Sequence, residues 1–205
     1  TGSFLLNPCL QITKTPASAN SMRVSRNELT ATLKKAVEGL GFSVGDYQDA
    51  AAMVIWSQMH GLNGLQQLQE ALPSLYNCLC LHAKLISDAD DYAVLDGQAS
   101  SVLLCGSQTV RLACALARQH GSGQVQLNNC HNRRFVAQRL VSAAQLGSAL
   151  MAYWIEGQSG FKLSVEPGAK QPLLTRYSPS AIAADQSLLI FAGTELSAIE
   201  QRFAK

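Results

Sequence analysis

Apolar residues recur at helical spacing in the segment that follows residue 24. Leu29, Leu33 and Val37 lie three or four positions apart, which is typical of one face of an α-helix. Ser25 and Glu28 precede them as a capping box, in which each side chain satisfies a backbone amide of the other residue. The pattern predicts a helix that ends near the glycines at 39–41.

Two more helices are predicted before residue 74. Ser43 and Asp46 repeat the capping arrangement, and the apolar residues after them lead to His60, where Gly61 ends the second helix. The third helix covers about 65–72 and is expected to end at Pro73, because proline lacks the amide hydrogen that a helix interior needs. Residues 22–73 therefore form a predicted helical subregion.

The second half of the chain alternates between short apolar runs and helical periodicity. Residues 74–97 allow either helix or strand at first and then become rich in turn residues, ending at Asp96-Gly97. After them, strands are predicted at 101–105, 125–127, 150–155, 161–165 and 188–192, and helices at 108–120, 134–146 and 194–203. The alternation predicts a mixed α/β fold in which residues 88–205 form one sheet with covering helices.

The first 21 residues differ from the rest in composition. They are rich in Thr, Ser, Asn and Pro, and Met22 follows them directly. We expect a flexible leader at 1–21 and hypothesise that Met22 is the natural start. Residues 22–205 then form a single domain, which is an ordinary length for one hydrophobic core.

The charge, the apolar runs and the cysteines argue against nucleic-acid binding, a membrane span and a metal site. Charged residues make up 15% of the chain and the net charge is +2, with no basic stripe, so nucleic acid is not an expected partner. No apolar run reaches the roughly 18–20 residues of a membrane-spanning helix. The six cysteines include no Cys-x-x-Cys pair, which favours reduced thiols, a cytoplasmic setting and no metal site. The low charge also favours self-association.

Few residues are candidates for chemistry. The glycines at 121–123 follow a predicted helix rather than a strand, so they do not match a dinucleotide-binding loop. Histidines 82 and 120 have structural interpretations, the latter at a helix C-terminus. His60 ends a helix and His131 follows a strand, where α/β sheets place ligands. Cys130 beside His131 is a weaker nucleophile candidate, since neighbours on a strand point to opposite faces.

Several short motifs occur in the order found in the malate/L-lactate dehydrogenase family, the type without a Rossmann fold. The text around His60-Gly61 resembles the family's Ser-His-Gly segment, and His131 resembles the His of its Asn-x-x-His motif. Further similar pieces are Asp96-Gly97, Ala144 to Gly147, Pro167-Gly168 and Tyr177 to Ala183. The segment that opens with Met22 is also similar to a bacterial family of unknown function.

The resemblance implies a non-Rossmann nicotinamide site with NAD or NADP, a homodimer, and oxidation of small 2-hydroxy acids. His60 takes the position of the acid/base that acts on the substrate hydroxyl, and His131 takes a position near cofactor and substrate. The family's arginine that binds the substrate carboxylate falls on Gly64, so Arg133 or Arg134 is expected to replace it.

Other departures weaken the expectation of turnover. Met59 replaces the Ser before His-Gly, and Asn132-Arg133 replaces the Phe-Gly after the second His. Two hypotheses follow. The chain is a divergent dehydrogenase-like protein that binds a small 2-hydroxy or 2-keto acid or a nicotinamide nucleotide in a cleft shared by His60 and His131, without full dehydrogenase activity. Alternatively, it is a non-catalytic binding or assembly subunit that acts through dimerisation or a partner chain.

Overall fold

A computed structural model describes most of the chain. It covers the backbone of residues 2–5 and then residues 24–76, 82–179 and 186–203. Most of the predicted leader, Met22, and the end of the last family-like motif at 180–183 lie outside the described residues.

Three helices open the fold, as the periodicity predicts. They are α1 (Arg26–Gly39), α2 (Val44–Met59) and α3 (Gly64–Tyr76). The predicted capping box of α1 is confirmed, with the Ser25 amide donating to Glu28 Oε2 at 2.9 Å and the Glu28 amide to Ser25 Oγ at 3.2 Å. In α2 the expected capping box is absent. The Ser43 hydroxyl instead donates to the Asp46 carboxylate at 2.6 Å.

The third helix does not end at Pro73. Proline occupies the last turn of α3, and the helix continues to Tyr76. Proline lacks one helical hydrogen bond there, and its ring crowds the carbonyl four residues before it, so packing has to compensate for both. The buried side chains of Leu68, Ala71 and Leu75 hold α3 against the core on both sides of the proline.

The predicted strand at 101–105 is instead the first turn of a long helix, α4 (Val102–His120). The Ser101 hydroxyl accepts from the Leu103 amide and caps it. Residues 102–107 are all buried, so this end of the helix is apolar on every side and shows no helical alternation. A short apolar run of this kind has the same sequence pattern in a buried strand and in a buried helix.

The other helices lie close to their predicted positions. A short 3₁₀ turn (Arg133–Phe135) leads into α5 (Val136–Ala144). The last helix, α6 (Leu196–Phe203), begins two residues after the predicted Thr194 cap.

Eight strands form one sheet in the described residues. They are β1 (Gly2–Leu5), β2 (Lys84–Ala89), β3 (Tyr92–Ser101), β4 (Ser122–His131), β5 (Ala149–Glu156), β6 (Ser159–Val165), β7 (Leu173–Tyr177) and β8 (Leu188–Gly193). Their order is β1-β7-β6-β5-β8-β4-β3-β2. The predicted mixed α/β fold is confirmed, although β1, β2, β3 and β7 were not predicted as strands.

One parallel pair in the sheet fixes where a candidate site can lie. Strands β3 and β4 are parallel and are joined by α4, whereas the other paired strands are antiparallel. The parallel register places Ser101 opposite His131. His131 therefore lies at the carboxyl end of the parallel pair, as the sequence predicts.

Asp96-Gly97 lies within β3 rather than in a turn. The register of β3 on β4 shifts between Asp96 and Ser100, and Gln98 and Ala99 have positive φ values of 53° and 58°. A Cβ on Gly97 would lie 2.9 Å from the Asn129 carbonyl oxygen, so the backbones approach here as only glycine allows. The Asp-Gly pair marks a bulge in a strand.

The core lies mainly on one face of the sheet. Side chains from α2, α4 and α5 pack there with inward residues of the central strands, including Met53, Leu103 and Leu140. A smaller cluster on the other face joins α6 to β5 and β8 through Ile199, Met151 and Phe191. No helix in the described part of the chain has the length and apolar character needed to cross a membrane.

Candidate functional site

His60 lies at the carboxyl end of α2, and its ring is held in one orientation. Nδ1 is 2.8 Å from the Trp56 carbonyl oxygen, and the ring stacks on the Trp56 indole with centroids 4.0 Å apart. A carbonyl oxygen only accepts hydrogen bonds, so Nδ1 carries the proton of the neutral ring. Nε2 is then the basic nitrogen, which can take a proton from a hydroxyl group.

A cavity of about 530 Å³ includes His60 in its wall. We call it the helical cavity. Its lining comes from α1, α2 and α5 and includes two cations, Arg26 and Lys34, with Trp56 and Gln138. No carboxylate occurs among its described lining residues, so the cavity carries uncompensated positive charge beside an imidazole. Such a wall suits a small anion.

Gly64, which takes the position of the family's arginine, has no room for a side chain. A Cβ placed there would lie 2.2 Å from the Val54 carbonyl oxygen and 2.7 Å from the Gln58 amide nitrogen. The start of α3 therefore packs directly on the backbone of α2. An arginine at this position is sterically excluded, so a carboxylate group has to be bound by other residues.

A second cavity, of about 340 Å³, begins at the residue after His60. We call it the sheet cavity. Gly61 and α3 form one wall, Trp154 and Phe161 of the sheet form another, and Arg134 lies between them. Arg134 is paired with Glu156, with Nε and Nη2 at 2.8 Å and 2.6 Å from Oε2. Its charge is thus balanced, and its guanidinium lies 5.3 Å from the centroid of the Phe161 ring.

Arg133 contributes to neither cavity. It is buried, and its two terminal nitrogens donate to the carbonyl oxygens of Cys130 and Ile155 at 2.9 Å and 2.8 Å. Its Nε is buried without a partner among the described residues. The guanidinium ties the end of β4 to β5 and is not available as a carboxylate clamp.

His131 is half-buried at the end of β4 and is not part of the described lining of the helical cavity. Segments that follow the two histidines do meet, since Asn132 and Arg134 share a small cavity with Gln67 and Glu70 of α3. The structure thus brings together the stretches after each histidine. That the two rings share one pocket stays a prediction.

Cys130 is unsuited to the nucleophile role considered beside His131. Its side chain is fully buried, and burial raises the pKa of the thiol to about 12. The thiol therefore stays protonated near neutral pH and is a poor nucleophile. Cys130 packs in the core, where it behaves as a small apolar residue.

The remaining candidates have local structural partners. His82 was expected to be half-buried, but it is exposed, and its Nε2 lies 3.4 Å from Asp46. Asp96 accepts from the Gln98 amide and from the Asn129 side chain, and these bonds lower the pKa of its carboxyl. No group of three possible metal ligands occurs among the residues that the structure describes.

Sequence reasoning missed the two cations of the helical cavity. Arg26 and Lys34 lie two helical turns apart on α1, and Gln138 approaches them from α5. Their spacing of eight residues places both on one face of α1, which is the signal that the sequence offers. Nothing in the sequence tells that this face meets His60.

The sequence is similar to one protein family of unknown function and to one malate dehydrogenase. A protein family described as "Protein of unknown function (DUF3726)" matches residues 24–121. A malate dehydrogenase from Pyrococcus abyssi (strain GE5 / Orsay) is 26% identical over 133 residues, which is 62% of this chain and 37% of that relative.

Solved structures of similar fold are also dehydrogenases. The malate dehydrogenase of Pyrococcus horikoshii OT3 matches with a TM-score of 0.64 and 17% identity, covering 85% of this chain and 56% of that one. The sulfolactate dehydrogenase of Methanocaldococcus jannaschii matches with a TM-score of 0.61 and 15% identity, covering 79% and 52%. The predicted resemblance is confirmed at the level of the fold. The chain spans about half the length of these structures.

Proposed function

We propose that this chain, which has the fold of the malate and lactate dehydrogenases, binds a small 2-hydroxy or 2-keto acid in the helical cavity beside His60. One observation carries the proposal: an imidazole with a fixed basic nitrogen lines a cavity with two cations and no described carboxylate. The anionic end of the acid pairs with Arg26 and Lys34. His60 Nε2 then faces the 2-hydroxyl or 2-keto oxygen.

His60 binds the substrate oxygen in this proposal. Neutral His60 accepts a hydrogen bond from a 2-hydroxyl at Nε2, and the protonated ring donates one to a 2-keto oxygen. The Trp56 carbonyl keeps Nδ1 as the donor in both states, and stacking on the indole holds the plane of the ring. The two interactions fix the ring and leave one nitrogen for the substrate.

The described residues give less support for binding of a nicotinamide nucleotide than for binding of the acid. Gly123 packs against α4, with a Cβ position 2.2 Å from the Ala113 carbonyl oxygen, so close packing of β4 on α4 accounts for this glycine without a ligand. Among the described residues, no set specific for a nicotinamide ring is evident. NAD or NADP binding stays a prediction from the resemblance, and full dehydrogenase activity is not part of the proposal.

We also propose a cytoplasmic location and a homodimeric assembly. Cys114 and Cys130 are free thiols, which supports a cytoplasmic location. A homodimer is supported by the exposed apolar side chains of Met59, Leu65 and Tyr76 on α2 and α3. Sedimentation velocity measures the assembly state directly, and a single monomeric species at high concentration contradicts the dimer.

Thermal denaturation with added ligands tests the proposed binding. Malate, lactate and their keto acids, each at a hundred times its dissociation constant, are expected to stabilise the protein by about 2.7 kcal/mol. At about 2–4 °C per kcal/mol for a chain of this size, the midpoint rises by about 5–11 °C. Nicotinamide nucleotides in parallel samples test the cofactor.

Charge variants locate the binding site. R26Q with K34Q removes two charge-assisted hydrogen bonds, each worth about 1.5–3 kcal/mol, and is expected to weaken acid binding at least a hundredfold. K35Q is the matched control, because Lys35 is exposed on α1 outside the described lining of the cavity. Equal binding in both variants contradicts the proposal. Dimerisation without any ligand response supports the assembly subunit instead.

A further inference from the structure

A third cavity, of about 230 Å³, lies between α4 and α5 and is lined by three arginines. We call it the arginine cavity. Arg111 and Arg118 come from α4 and Arg139 comes from α5. Ser107, Ser142 and Ser148 also line it. The described lining thus combines guanidinium groups with hydroxyl groups and includes no carboxylate.

One carboxylate lies next to this cluster, and it does not balance the charge. Asp49 of α2 lies 3.1 Å from Arg139 Nη1 and 3.9 Å from Arg111 Nη2. It also accepts the hydroxyl of Ser107 at 2.6 Å. With three guanidinium groups against one carboxylate, two positive charges stay uncompensated among these residues.

Arg139 is the buried member of the cluster. Its side chain is 14% exposed, against 78% for Arg111, and its Nε donates to the Gln138 side-chain oxygen. Burial and the neighbouring Arg111 charge lower the pKa of Arg139, while Asp49 raises it. A second anion near Arg139 relieves this repulsion, and the low local dielectric strengthens the attraction.

We propose that the arginine cavity binds a phosphate dianion, either free or as a phosphate monoester on a larger molecule. Its two surplus charges match the dianion, and planar guanidinium groups bind phosphate oxygens in pairs. The hydroxyls of Ser142 and Ser148 complete the donor set, since that of Ser107 already donates to Asp49. The volume lies below the about 300–1,000 Å³ of sites that enclose drug-sized ligands, so the cavity takes the phosphate group alone.

Calorimetric titration with inorganic phosphate tests the site. The full chain is titrated at constant ionic strength, with sodium chloride as the balancing salt, because exposed arginines respond to screening. R111Q with R118Q is expected to weaken phosphate binding at least tenfold, since each lost charge-assisted hydrogen bond costs about that factor. Both arginines are exposed, so the double variant is expected to fold normally.

Two controls separate this site from others. K170Q removes an exposed cation in the turn after β6 and is expected to leave phosphate affinity unchanged. H60Q is expected to leave it unchanged as well, which keeps this proposal separate from acid binding in the helical cavity. The proposal is overturned if phosphate binds no better than chloride, or binds equally well to the double variant.

Paired nucleotides distinguish the two sources of phosphate. NADP and NAD differ by one phosphate monoester. Tighter binding of NADP that is lost in the double variant assigns the cavity to a phosphate carried on a nucleotide. Phosphate binding without any NADP preference assigns it to the free ion or to a different monoester.

Discussion

His60 and His131 both occupy positions that match a family motif, yet the cations near them differ. Those near His60 line a cavity, whereas the one near His131 is buried in the fold. His60 lines a cavity with Arg26 and Lys34, and its ring is held by Trp56. His131 ends a strand between the buried Cys130 and the buried Arg133, whose guanidinium is occupied by backbone carbonyls. The positive charge near His60 is free for a ligand, whereas that near His131 maintains the fold.

The difference shows that an arginine close to a candidate histidine is not by itself a ligand group. Arg133 is committed to carbonyl oxygens and Arg134 to Glu156, so neither is a free clamp. What decides the role is the number of acceptors that the protein itself supplies to each cation.

Replacement of Arg133 is expected to have the largest effect on stability. R133M keeps the aliphatic stem but leaves the carbonyls of Cys130 and Ile155 without this donor, at about 1–3 kcal/mol each, so the free energy of unfolding falls by about 2–6 kcal/mol. Urea denaturation measures the loss. R134M is the matched control, with a change within about 1 kcal/mol because its ion pair is partly exposed. Similar losses in both variants contradict the assigned roles.

The His60 region depends on the close contact of α2 with α3. G64A places a Cβ 2.2 Å from the Val54 carbonyl oxygen, so overpacking is expected to cost about 1–3 kcal/mol and to displace the loop after His60. G45A is the control in α2, where a Cβ meets nothing within 4 Å. It is expected to stabilise by about 0.4–1 kcal/mol. Chemical denaturation is expected to show a lower free energy of unfolding for G64A and a higher one for G45A. A change of the same sign in both variants contradicts the packing described for Gly64.

Alkaline pH is expected to weaken the His131 region. Burial raises the pKa of the Cys130 thiol to about 12 in the folded chain, against an ordinary value of 9.0, so above pH 9 the unfolded chain loses this proton first. The contribution of this thiol to the free energy of unfolding is fully present below pH 9. It decreases by roughly 1.4 kcal/mol per pH unit as the pH rises toward 12. Burial also raises the pKa of Tyr153 to about 12, which acts in the same direction above pH 10.

A cysteine variant isolates the thiol contribution. C130A removes that titration, so its unfolding free energy is expected to fall less steeply with pH than that of the parent chain. Denaturant titrations at pH 8, 9 and 10 compare the two slopes. Identical slopes rule out a buried, protonated Cys130.

The parts of the fold that the sequence predicts are those with local signals. The capping box of α1 and the amphipathic pattern of α5 are readable because neighbours along the chain determine them. The strand predicted at 101–105 was wrong because burial on every side removes the periodicity that distinguishes helix from strand. The proline in α3 was misread because packing on both sides of it outweighs one lost hydrogen bond.

The candidate site was predictable only in part, for a related reason. The position of His131 at the end of a strand and of His60 at the end of a helix follow from local boundaries. The burial of Arg133 does not, because a charged residue is normally expected at the surface. Arg26 reaches the helical cavity only through the packing of α1 on α2, which is a tertiary contact.

Strand β2 is the last strand of the sheet, and an edge strand can pair with a strand of another chain. All six of its residues are exposed, and Leu85 and Ile86 present apolar side chains on this last strand of the described sheet. Lys84, Asp88 and an irregular register with β3 after Leu85 are the features that discourage another chain from adding to this edge. Neutralising those two charges removes that protection, so fibrillar self-association would begin at this border.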